Sequence, residues 1–98
     1  MLVALERFDL RIPGCGSLKE KRHVVKTLTN RLRSTFNVSV AEVDHLDLWQ
    51  RTAIAVAAAG SEGYHVKRVM HEVERLVDAW SSVEIISADL ELYRPGEG

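Results

Sequence analysis

SLKEKRHVVKTLTNRLRSTFNVSVAEVD, residues 17–44, is the stretch whose reading decides the fold, because within it a helix runs into a strand with almost no linker. Ser17 and Glu20 form an S-x-x-E capping box. The Ser17 hydroxyl satisfies an orphan amide of the first turn and Glu20 reaches back to the cap, together worth about 1 kcal/mol. The helix is therefore expected to start at Leu18. At about 100° per residue, Leu18, Val25, Leu28, Leu32 and Phe36 fall within an arc of about 80°, which is one buried stripe. Asn37 ends it, and Val38, Val40 and Val43 read as the strand that follows.

The charges of this helix are one-sided. Lys19, Arg22, Lys26 and Arg33 are spaced to line one flank beside the apolar stripe. Residues 17–36 carry six Lys or Arg against one acid, while the rest of the chain carries seven against thirteen, so a basic element sits on an acidic body. Such a flank is either a solvated face whose cations pair with acids elsewhere, or a surface that tracks phosphates. Lys21 is the exception, because its angle puts it inside the apolar arc. An ammonium there must snorkel out or meet an acid, and Asp44 or Asp47 from the next hairpin is the expected partner.

Working outward, residues 2–12 alternate Phe8, Leu10 and Ile12 with Arg7, Asp9 and Arg11, the period of a half-buried strand. Pro13, Gly14 and Gly16 break the pattern and form the loop into the capped helix. Residues 52–59, TAIAVAAA, are apolar or small at both parities, as in a central strand covered on both faces. Ser61 is positioned to cap a second helix, whose stripe is Val66, Val69, Met70, Val73, Leu76, Val77 and Trp80. Residues 83–93 alternate again, with Ile86, Ala88, Leu90 and Leu92 expected on one face.

The element order is thus β-α-β-β-α-β. Two right-handed crossovers give an α+β, ferredoxin-like βαββαβ sandwich, a four-stranded antiparallel sheet in order 4-1-3-2 with both helices on one face. That path predicts that the glycine loop, the first turn of the basic helix and the hairpin carrying Asp44, His45, Trp49 and Arg51 share one pole with the loop of residues 80–83.

Length and composition bound the rest. Ninety-eight residues at 46% apolar suit a single domain over 1–98, with a frayed tail over 93–98 marked by Pro95, Gly96 and Gly98. One cysteine excludes an intramolecular disulfide; with no signal peptide or long apolar run it points to the cytoplasm and to no membrane partner. Cys15 precedes the helix N-terminus beside Lys19, a setting that lowers a thiol pKa, yet no spacing aims His23 or His45 at it, and a nucleophile needs a positioned base. His23, His45, Asp44 and Asp47 match no metal-ligand spacing. No catalytic residue, metal or cofactor is expected.

The strings SLKEKR (residues 17–22), FNVSVAEVD (36–44) and WQR (49–51), with Ile12, Pro13, Val24, Val25, Lys26, Arg31, Leu32 and Arg33, resemble the signature of the bacterial YlxP-like family, a domain of unknown function. The likeness spans essentially the whole chain. It implies a ferredoxin-like fold and, through gene neighbourhood with translation and ribosome-maturation factors, a link to the ribosome. It implies no activity, and Cys15 lies outside its pattern.

Three function classes follow, the third an enzyme or metal protein in which His23, His45, Asp44 and Asp47 converge, which their spacing supports least. In the first, a non-enzymatic RNA- or ribosome-binding module, Lys19, Arg22, Lys26 and Arg33 contact phosphates while Trp49 and Arg51 stack on or bracket a base. The alternative reading of Trp49 is a hairpin anchor packed on the core. In the second class the helix-free sheet face, apolar through LVAL and TAIAVAAA, is buried in a homodimer with no nucleic-acid role.

Overall fold

The computed structural model describes residues 1–96. Its elements are β1 (Leu2–Arg11), α1 (Leu18–Thr35), β2 (Ser39–Asp44), β3 (Arg51–Gly60), α2 (Gly63–Asp78) and β4 (Glu84–Tyr93). The sheet is antiparallel in order β2-β3-β1-β4, which is the ferredoxin-like α+β arrangement.

α1 starts where its cap requires. The Ser17 hydroxyl accepts from the Glu20 amide at 3.1 Å, and the Glu20 carboxylate accepts from the Gly16 amide at 2.9 Å. α2 differs from expectation: its N-cap is Glu62, which makes no side-chain cap bond, so Ser61 does not cap it. Close packing holds that corner instead, since a Cβ on Gly60 would lie 2.7 Å from a Val66 methyl.

The core lies between the sheet and the helices. Even-numbered residues of β1 and β3 face it, Ala4, Phe8 and Leu10 opposite Ala58, Ile54 and Thr52, with Leu2 and Val56 on the same face, packed under Val25, Leu28 and Leu32 of α1 and Val66, Met70, Val73 and Val77 of α2. α2 lies over the central strands β1 and β3 and α1 over β2, which leaves β4 thinly covered.

β4 also departs from its expected face. Ala88, Leu90 and Leu92 pair with Phe8, Glu6 and Ala4 on the helix side, but a bulge shifts the register so that Ile85, not Ile86, opposes Leu10. An inserted residue flips the parity of everything beyond it. Tyr93 pairs with Val3 as the last residue of β4, a turn follows through Pro95 and Gly96, and residues 97–98 of the expected frayed tail lie outside the described residues.

Candidate nucleic-acid interface

The shared pole is built around Lys21. Its side chain is 1% exposed, as its place in the apolar arc demands. The acid that meets it is neither Asp44 nor Asp47: Nζ lies 2.9 Å from Glu42 Oε2 and donates to the carbonyls of His45 and Leu46 at 2.5 and 3.3 Å. The strand register explains the exchange of partner. Glu42 pairs with Ile54 on the helix side, and a bulge after it turns Asp44 to the helix-free face, opposite Ala53. The Thr52 hydroxyl donates to the same Glu42 oxygen at 2.6 Å, so the carboxylate is satisfied where it is half-buried.

Lys21 thereby fixes the β2–β3 hairpin to the first turn of α1. The hairpin reverses at His45, whose φ of +60° is the left-handed region that a side chain disfavours. Four bonds hold it there: its amide donates to Asp44 Oδ1 at 2.8 Å, its carbonyl accepts from Lys21 and from the Leu48 amide at 3.1 Å, and its imidazole Nε2 sits 3.1 Å from Asp9 Oδ1. Farther along, Gln50 Nε2 donates to the Cys15 carbonyl at 3.3 Å and the Ile12 amide donates to the Gln50 carbonyl at 2.9 Å. Ser82 lines one depression with Pro13, Gly14, Cys15 and Val24, so the loop after α2 joins the same pole.

The helix-free face is divided. Its polar half is a charged row in which Arg7 lies 3.0 Å from Asp9 and 3.1 Å from Asp44, and Arg51 lies 3.5 Å from Asp9. The Arg7 guanidinium, and then the His45 ring, hold the Asp9 carboxyl below its ordinary pKa; Asp44 is lowered first by the His45 amide and then by Arg7. The Arg51 Nε is buried with no hydrogen-bond partner among the described residues. The other half is apolar, with exposed Leu5 and Val43 around Ala55. Arg7 and Asp9 were legible only as strand alternation; opposite charges two apart on the face away from Phe8 were the signal for a charged row.

Six residues were singled out for binding, and the fold distributes them. Lys19, Arg22 and Lys26 are exposed on α1 and, among the described residues, form no ion pair. Arg33 is engaged at the sheet edge, where Nη2 donates to the Val40 carbonyl at 2.7 Å and Nη1 to Asn30 Oδ1 at 3.2 Å. Trp49 is 50% exposed beside Leu48 on the hairpin, not packed into the core. Arg51 reaches across the helix-free face to Asp9, away from the α1 flank.

Cys15 is buried and donates to the Ser17 carbonyl at 3.4 Å, while His45 is bonded to Asp9 and His23 lines a separate depression with Trp80. Among the described residues no three His, Cys, Asp or Glu side chains are grouped to hold a metal ion. Among the described residues no helix is long and apolar enough to cross a membrane.

The family described as "Protein of unknown function (DUF503)" matches residues 3–90. The chain is 38% identical over 83 residues to "Uncharacterized protein YlxP" of Bacillus subtilis (strain 168), covering 85% of this chain and 90% of that one. Among solved structures, the de novo designed protein Foldit4 superposes with a TM-score of 0.54 at 9% identity, over 96% of this chain and 98% of the design. That likeness concerns the fold alone.

Proposed function

We propose that this chain, which belongs to the DUF503 family, is a non-enzymatic, cytoplasmic binding module that engages RNA, including the RNA of ribosomal particles, through the basic flank of α1 and the β2–β3 hairpin. The observation that carries the reading is that Lys19, Arg22 and Lys26 stand exposed with no acid of the described residues paired to them. A solvated face whose cations serve internal pairing would spend them on the chain's own carboxylates. Here Glu42, Asp9, Asp44 and Glu84 are met by Lys21, Arg7, Arg51 and Arg11 instead. Half-exposed Trp49 offers a stacking surface on a hairpin that Lys21 ties to the same helix, and a fixed aromatic loses little freedom when a base stacks on it. Arg33 contributes by sealing the edge of β2, and Arg51 by holding the base of the hairpin.

Fluorescence anisotropy with a labelled, mixed-sequence single-stranded RNA tests this. Three phosphate contacts give a slope of log K against log salt of about −2. Changing Lys19, Arg22 and Lys26 together to Glu should cost at least tenfold, and Trp49→Ala about 1–3 kcal/mol. In a lysate pull-down, ribosomal particles should be recovered at low salt and lost at high salt or with the triple variant. Salt-independent binding that the triple variant leaves intact would remove the reading.

A second reading rests on the apolar half of the helix-free face. Exposed Leu5 and Val43 around Ala55 suit a homodimer closed by a two-fold axis. Sedimentation as a clean monomer at low micromolar concentration would exclude it.

A further inference from the structure

The two edges of the sheet are finished differently. At β2 the edge is short, six residues, and Arg33 plugs it by donating to the Val40 carbonyl. At β4 it is ten residues long, and among the described residues no side chain bonds to its outward backbone groups. Native sheets blunt such edges with charged side chains, above all lysine, or with proline, bulges or a covering element. β4 has no lysine or proline, and its bulge lies near its start, so Ser87–Tyr93 pair regularly with Val3–Asp9 and leave an open ladder outside.

The side chains around that ladder describe what would fill it. On the helix side Leu90 and Leu92 are 41% and 40% exposed, because α2 lies over β1 and β3 and covers β4 only thinly. They continue into a depression floored by Phe8, Ile85 and Ala88 and rimmed by Glu74 and Asp78 of α2, with Arg75 beside them. On the opposite side β4 shows Asp89 and Glu91; Arg7, which faces Asp89 across the pair, is occupied by Asp9 and Asp44. An added strand thus meets an apolar ledge on one face and carboxylates on both.

We infer that β4 is an acceptor edge that takes an extended, basic segment of another protein, alternating apolar with Lys or Arg residues, as a fifth strand. Main-chain hydrogen bonds supply affinity in this mode and alternate side chains supply selection. A second copy of this chain is the wrong occupant, since pairing β4 with itself sets Glu84, Asp89 and Glu91 of both copies on one ladder with no cation of β4 to meet them. The inference stands apart from the RNA reading, which uses α1 and the hairpin.

The test titrates the full chain with a labelled nine-residue peptide alternating lysine and valine. Saturable binding that weakens with salt is expected, with new hydrogen-exchange protection on alternate amides within Ser87–Tyr93. Asp89→Asn with Glu91→Gln should weaken it at least tenfold, as should N-methylation of alternate peptide amides, which removes ladder donors without touching charge. Equal affinity for a glutamate–valine peptide, indifference to N-methylation, or protection arising on α1 or β2 would each overturn the inference. So would β4 amides already protected in a self-associated form of the chain.

Discussion

Lys21 shows how a single position links sequence to surface. A cation inside an apolar arc is costly unless it is matched, and here one ammonium meets Glu42 and two hairpin carbonyls at once. Lys21→Met keeps the volume and removes the charge, leaving Glu42 half-buried without its cation. A loss of about 3 kcal/mol in urea unfolding is expected, with faster amide exchange across residues 45–49; an unchanged hairpin would show that Lys21 does not fix it. Glu6 makes the opposite case. It faces the core, 1% exposed and with Oε1 unpartnered, and its pKa is raised to about 8 by burial first, then by Glu74 and by the charge of Asp89. Between the ordinary carboxyl value and about 8 the folded chain holds a proton that the unfolded chain has released, so stability falls as pH rises through that window. Glu6→Gln should flatten that slope and melt above the parent at pH 9. If the parent's melting temperature is level from pH 5 to 9, the carboxyl is not held protonated.

At the scale of elements, α1 and α2 contrast in how they begin. α1 has a reciprocal cap, and Ser17→Ala should cost about 1 kcal/mol. α2 begins at Glu62 with no side-chain cap, so Glu62→Ser should add roughly 0.5–1 kcal/mol. Urea midpoints moving in opposite directions would check both; a Glu62→Ser variant no more stable than the parent would mean that α2 is held by packing at Gly60 and Val66 alone. The strands repeat the contrast. The alternation of β1 was readable from Arg7 onward, where Phe8, Leu10 and Ile12 alternate with Arg7, Asp9 and Arg11, although Glu6 interrupts the apolar row before it. In β4 the alternation was readable but its outcome was not: the bulge exchanges Ile85 for Ile86, and an edge strand that α2 covers only thinly leaves Leu90 and Leu92 partly exposed.

For the whole molecule the consequence is a separation of charge. The basic flank of α1 accompanies β2, while Glu84, Asp89 and Glu91 ride on β4 at the other edge. Three strand spacings, about 14 Å, separate the edges, which exceeds the Debye length of about 8 Å at physiological salt. Neutralising Asp89 and Glu91 should therefore change RNA affinity by less than about twofold, measured in the same anisotropy assay; a larger gain would mean that the two edges act as one field. The order and type of all six elements, the start of α1 and the shared pole were determined by the sequence alone, because capping, hydrophobic period and crossover handedness are local or topological rules. Which acid meets Lys21, which cations of α1 stay free, and which edge stays open were decided only by the tertiary structure. A one-residue bulge reverses the face of every residue after it, and a helix's coverage of a strand depends on where it docks, which no single segment encodes.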